Sequence, residues 1–381
     1  MSYIMVREGL ELGKFLKFTG LFLVILLAPL AIRADHHEPH SHDGQAVEAE
    51  GHGHDAAHGA EEKVDAIAHI QDSHVWHFAT VDGHHYQISL PVILYSADRG
   101  LEIFSAGNFH GGAVHMHDGH ECTEYNGYLM DSHGAKVLPV DESRSVLDFS
   151  ITKNVASLFI SVIIMFLVFF AVKKGYKKNA GKAPKGIQSF FEPLIVFIRD
   201  DIAKGNIGPK YQKYMPYLLT IFFFIWFNNL LGLMPGAANL TGNIAVTLIL
   251  ATFTLIITLA SGNSTYWSHK LNPLGSSMSA IAKAPIYLIL VPIELVGILT
   301  KPFSLMIRLF ANISAGHIII LSILGLTFMA KSYATGIPLG IASSLFAVVM
   351  NMLELFVAIL QAYIFTLLSA MYFGEAVEEH H

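Results

Sequence analysis

The chain has 381 residues, 53% of them hydrophobic and 14% charged, with a formal charge of −6. Long apolar runs fill nearly everything after about residue 155, the composition of a polytopic membrane protein and not of a soluble enzyme or a nucleic-acid binder. The one cysteine, Cys122, excludes an intramolecular disulfide and a CxxC metal site.

In chain order, residues 1–34 carry a basic start (Arg7, Lys14, Lys17) and a short apolar core, "GLFLVILLAPLAI", broken by Pro29. This reads as a secretory signal peptide, with an uncleaved N-terminal anchor as the alternative; either exports the polypeptide on its C-terminal side. Residues 35–69 include "HHEPHSHDGQAVEAEGHGHDAAHGAEEK", a His-rich low-complexity stretch with almost nothing to build a core from, which predicts an exposed, disordered segment. Over residues 70–148, short β-branched and aromatic runs alternate with Gly, Asn and Asp turns, the pattern of a small β-rich extramembrane domain. Within it "HMHDGHE" makes His115, His117 and His120 the densest candidate for metal binding.

A membrane region extends from residue 149 to the end. Residues 155–172 form a first span, succeeded at once by Lys173, Lys174, Lys177, Lys178, Lys182 and Lys185. Residues 35–153 hold 20 acidic and 5 basic side chains, whereas residues 173–213 hold 10 basic and 3 acidic. The positive-inside rule puts the lysines in the cytoplasm and the acidic domain outside. Residues 187–204, too short and charged to span, suit a helix lying in the interface. Residues 217–234 and 243–260 are ordinary spans. The last two apolar regions are longer: residues 284–329 would make about 69 Å of helix and residues 337–373 about 56 Å, against a hydrocarbon core of about 30 Å. Either each is a re-entrant pair or each is one strongly tilted helix, and the short link between them favours two slanted helices in a hairpin. The expected architecture is therefore mainly α, with five transmembrane spans and a cytoplasmic C-terminus.

Charged groups inside these spans are few. Glu294, Lys301 and Arg308 are spaced by seven and line one slowly drifting face, with Asn312 a turn beyond. His317 points to roughly the opposite face, and on the last helix Glu354 and Gln361 are again seven apart. An arginine at mid-helix costs about 2.5–3.5 kcal/mol on insertion scales, so Arg308 is a functional candidate by default; the bland alternative is a fixed ion pair joining two helices. His317 and Glu354, on neighbouring helices, could meet as a proton relay, the bland alternative being a hydrogen-bonded core histidine.

"ELVGILTKPFSLMIRLFANISAGH" and "ELFVAILQAYIFTLL" resemble the two signature helices of subunit a of the F-type ATP synthase, and a weaker likeness extends over "FFFIWFNNLLGLMPG", so that residues 149–381 are covered. The resemblance implies a non-catalytic stator subunit of a bacterial inner membrane. Two offset half-channels would carry protons to and from the carboxylates of a c-ring, with the subunit b stalk as a further partner and no cofactor. It makes Arg308 the stator arginine, and Asn312 and Gln361 the polar residues near it. Many bacterial members have an acid where His317 stands and a histidine where Glu354 stands, so the pair reads as exchanged between helices. The histidine runs also resemble the loops of zinc transporters, and divalent-metal transport is the alternative function, although that would need several convergent ligands inside the membrane.

Overall fold

The computed structural model describes residues 14–15, 17–20, 72–81, 84–117, 120–132, 134–141, 143–234, 238–271, 280–328 and 333–378. The His-rich stretch expected to be disordered lies outside the described residues. So does most of the segment read as a signal peptide.

The β-rich region is present and consists of nine antiparallel strands: β1 (Val75–Val81), β2 (His84–Ser89), β3 (Pro91–Ser96), β4 (Gly100–Ser105), β5 (Val114–His117), β6 (His120–Tyr125), β7 (Tyr128–Asp131), β8 (Val137–Pro139) and β9 (Val146–Asp148). They form three sheets, β1-β2, β4-β3-β9 and β5-β6-β7-β8. β3 alternates inward and outward, sending Val92 and Leu94 into a core with Phe109, Tyr128 and Met130. The β6–β7 hairpin turns at Asn126 and Gly127, both with positive φ (54° and 80°), the conformation that a two-residue type I′ turn demands.

Seven longer helices complete the chain: α1 (Lys153–Lys178), α2 (Ile187–Phe197), α3 (Met215–Gly232), α4 (Ile244–Ser261), α5 (Ser264–Leu271), α6 (Ala280–Phe328) and α7 (Tyr333–Val377). The amphipathic stretch expected as one interfacial helix is α2 continued by a π-helical segment, Ile198–Lys204. Among the described residues five helices are long and apolar enough to cross a membrane: α1, α3, α4, and most of α6 and α7. Each long C-terminal apolar region is one helix, not a re-entrant pair.

α3 is the hub. Its most apolar window is 78% buried, against 6% for that of α6. Phe169 of α1 and Phe191 of α2 stack around Phe223 at 4.7 and 5.8 Å between ring centroids. Tyr214 and Tyr217 hold Phe373 of α7, and the Tyr217 hydroxyl pairs with Thr254 of α4 at 2.6 Å. α6 and α7 thus lie against one side of the bundle and leave a broad apolar face uncovered, which includes Leu299, Phe303, Leu345, Val349, Met352 and Phe356.

The described part of the N-terminal segment is helical and packed: Phe15 is fully buried with its ring 4.6 Å from Phe169, Phe18 meets Tyr217, and the Thr19 and Thr220 hydroxyls lie 3.1 Å apart. The β-rich domain is tied to α1 just as closely. Asp72 accepts the Asn154 backbone N–H at 3.1 Å and the Thr152 hydroxyl at 2.8 Å, while the Lys153 N–H donates to the Ser73 carbonyl at 2.8 Å. The Asp72 carboxylate satisfies donors at a helix N-terminus that would otherwise have no partner.

Candidate functional site

Arg308 lies midway along α6 and is half-buried. Leu305, Met306 and Leu309 beside it are buried and fix the helix against its neighbours. Among the described residues no carboxylate stands within ion-pair distance of its guanidinium. Asn312, one turn on, is exposed on the same helix, whereas Gln361 of α7 is buried at 4% exposure.

Towards the C-terminal end of α6 there is an uncharged polar set around one buried acid. The buried stripe of α7 runs through Ser343, Ala347, Glu354, Ala358 and Gln361, the heptad-like spacing that faces α6. Glu354 is 7% exposed, and neither carboxylate oxygen finds a hydrogen-bond partner among the described residues. It is pressed against Gly316, where only the missing side chain makes room for it. His317, the next residue, is rotated about 100° around the helix axis and faces Gly232 at the end of α3. His317 and Glu354 therefore reach the same level of the hairpin, but among the described residues they form no ion pair. Between and around them stand groups that the sequence pattern did not single out. Asn229 donates to the Ala358 carbonyl at 3.2 Å and accepts from Thr241 at 2.6 Å. Asn239 accepts from the Gly242 N–H at 2.9 Å, and its amide nitrogen is buried with no hydrogen-bond partner among the described residues. The "FNN" pair inside an apolar span was the available signal, since a buried amide in a span is costly unless bonded.

In the other direction from Arg308 lie Glu294 and Lys301, on the face that their spacing gives them. Glu294 and Lys301 do not stand as isolated charges: Lys270 of α5 bonds Glu294 at 3.0 Å and Glu375 of α7 at 3.1 Å, and Lys301 pairs with the other Glu375 oxygen. Burial alone would lower the Lys270 pKa, but hydrogen bonds to Glu294 and Glu375 outweigh it and hold the amine above its usual value. Lys301 also sits over the Tyr372 ring, 5.0 Å from its centroid. Glu375 falls fourteen residues after Gln361, on the same heptad face, a signal lost because the polar stretch "GEAVEEHH" reads as a tail.

In the β-rich domain His115 pairs with Glu124 at 2.8 Å, in the hairpin where His117 faces His120 across the strands. Among the described residues no three His, Cys, Asp or Glu side chains converge as a metal ion would require, and the side chain of His120 lies outside the described residues.

A family model described as ATP synthase A chain matches residues 155–374, and one described as a domain of unknown function matches residues 66–157. The chain is 43% identical over 264 residues to a protein named ATP synthase subunit a from Chlorobium phaeobacteroides, spanning 68% of this chain and 75% of the relative. It is 44% identical over 269 residues to one of that name from Chloroherpeton thalassium, spanning 70% and 77%. A third, from Pelodictyon phaeoclathratiforme, is 40% identical over 291 residues, spanning 75% and 83%.

Proposed function

Because the chain belongs to the family of ATP synthase subunit a, the membrane-sector subunit of the F-type enzyme that takes part in proton transport, we propose that Arg308 is its stator arginine, facing a rotor from the open side of α6. The partner is the c-ring, whose carboxylates must be neutral where they face lipid, since an unpaired charge in hydrocarbon is costly. Opposite Arg308 such a carboxylate ionises, because a nearby cation favours the charged form. The same fixed charge blocks a hydrated proton from passing straight along the hairpin.

Two polar regions on either side of Arg308 then act as offset half-channels. The set around Glu354, His317, Asn239 and Asn229 is the entry from the exported side, and the charged set around Glu375 is the exit to the cytoplasm. A proton that neutralises a ring carboxylate at the first must travel round with the ring before it can leave at the second, which ties translocation to rotation. The membrane potential supplies about 2.3 kcal/mol per charge per 100 mV. The subunit itself contributes no catalytic group; ATP synthesis proceeds elsewhere in the assembly, with subunit b holding this stator in place. The lysines after α1 support a C-terminus in the cytoplasm of a bacterial inner membrane and a β-rich domain in the periplasm.

The observation that carries this reading is an arginine half-buried in an apolar helix, with no acid of its own chain paired to it among the described residues. Arg308→Ala, introduced into the assembled ATP synthase, is expected to abolish ATP-driven proton pumping in membrane vesicles; a mutant that pumps normally would refute the assignment.

A further inference from the structure

The four charges Lys270, Glu294, Lys301 and Glu375 meet at the end of the hairpin opposite His317, and Glu375 is the one that joins the other three. One of its oxygens bonds Lys270 and the other bonds Lys301, while Lys270 reaches on to Glu294. The chain holds Glu375 there from both sides. Gly374 is packed directly against the Asn206 carbonyl, where a Cβ would collide. The Asn263 backbone N–H donates to the Ala376 carbonyl at 3.0 Å and the Asn263 amide to the Glu378 carbonyl at 2.8 Å. Beside these groups opens a cavity of about 210 Å³, lined by Tyr266, His269, Lys270, Glu294, Glu375 and Glu378. That is room for several waters at about 30 Å³ each.

Lys301 is seven residues before Arg308, about 10 Å along the helix, so an uncompensated ammonium there would add a second positive barrier in series with the first. Tyr372 stands between the two, within electrostatic reach of both Arg308 and Glu375. The two lysines are cancelled by Glu294 and Glu375, and Glu378 at the rim leaves the cavity acidic on balance.

We propose that Glu375 is the positioning residue for proton release: by binding Lys301 and Lys270 together it removes the positive charge from the route below Arg308 and makes the adjoining cavity a hydrated outlet. This deepens the reading of Arg308 and its helix as the proton path and rests on it. Glu375→Gln frees Lys301 and is expected to slow passive proton conductance through the membrane sector roughly tenfold, the effect of a unit charge about 10 Å from the route at an effective dielectric constant of about 20. Lys301→Gln/Glu375→Gln restores neutrality without restoring the ion pair and is expected to recover most of the conductance.

The measurement is proton flux in vesicles carrying the assembled ATP synthase, before and after the catalytic head is stripped off, with assembly checked by co-purification of the ring. A double variant as impaired as the single one, or an unaffected Glu375→Gln, overturns the proposal. If Glu375→Gln does not assemble, an assembled and conducting double variant supports it, and a double variant that also fails to assemble makes the pair a helix staple and overturns it. Arg308→Ala in the same vesicles separates the two ideas: pumping that survives it sinks the stator reading, whereas pumping lost with Arg308→Ala but untouched by Glu375→Gln sinks only this one.

Discussion

Glu354 rests directly on Gly316, and a methyl group at position 316 would run into its carboxylate. Gly316→Ala must therefore push α7 or the Glu354 side chain away. Overpacking of this kind typically costs about 1–3 kcal/mol. Thermal unfolding of the purified subunit should register the loss, and ATP-driven pumping should fall with it.

Glu354→Gln keeps the shape that fits Gly316 and removes the exchangeable proton. Flux is expected to fall on the order of a hundredfold, the contribution of a well-placed acid–base group, with unchanged thermal stability. Equal flux in variant and parent, measured by fluorescence quenching in vesicles, would remove Glu354 from the route.

Gly374 has no room for a side chain against the Asn206 carbonyl, whereas Gly205 faces open space. Gly374→Ala should lower stability by about 1–3 kcal/mol and Gly205→Ala should not. A pair of melting curves in detergent distinguishes them.

In the β-rich domain, burial alone would raise the pKa of Asp148, but the neighbouring His74 imidazole and the hydrogen bond from Ser150 outweigh it and hold it below its usual 3.8. The imidazole Nε2 lies 3.4 Å from the carboxylate. A depressed folded-state pKa means stability that is fully present above about 3.8 and lost as the pH falls through the lower folded value. Hydrogen exchange of the full chain should show β3 and β9 losing protection over that acid range, and Asp148→Asn should flatten the dependence.

Phe15 and Thr19 fill positions that a removed leader would leave open against Phe169 and Thr220. Mass spectrometry of the purified protein is expected to find this segment retained. Phe15→Ala should cost about 3–5 kcal/mol, the usual penalty for emptying a buried phenylalanine site.

Much of this was legible because membrane sequences are blunt: apolar runs of sufficient length gave α1, α3 and α4, and the short link after the long run of α6 pointed to the two single long helices α6 and α7. Arg308 was legible for the same reason, as a cation where none belongs. The environment of each charge was not. Seven-residue spacing put Glu294, Lys301 and Arg308 on one face but could not show that Lys301 finds Glu375, because that pairing depends on how far α7 slides along α6. That His317 and Glu354 could meet followed from their being polar residues on neighbouring helices, which could not reveal the 100° turn that sends the imidazole towards α3. The N-terminal segment is ambiguous in sequence because a short apolar core after basic residues describes a leader and a packed helix equally well.

Asp72 has a mechanical consequence. With its carboxylate holding Thr152 and Asn154, the passage from sheet to membrane contains no slack, and the β-rich domain behaves as a handle on α1. A load applied to the sheets therefore passes into the first turn of α1 and not into a loose linker.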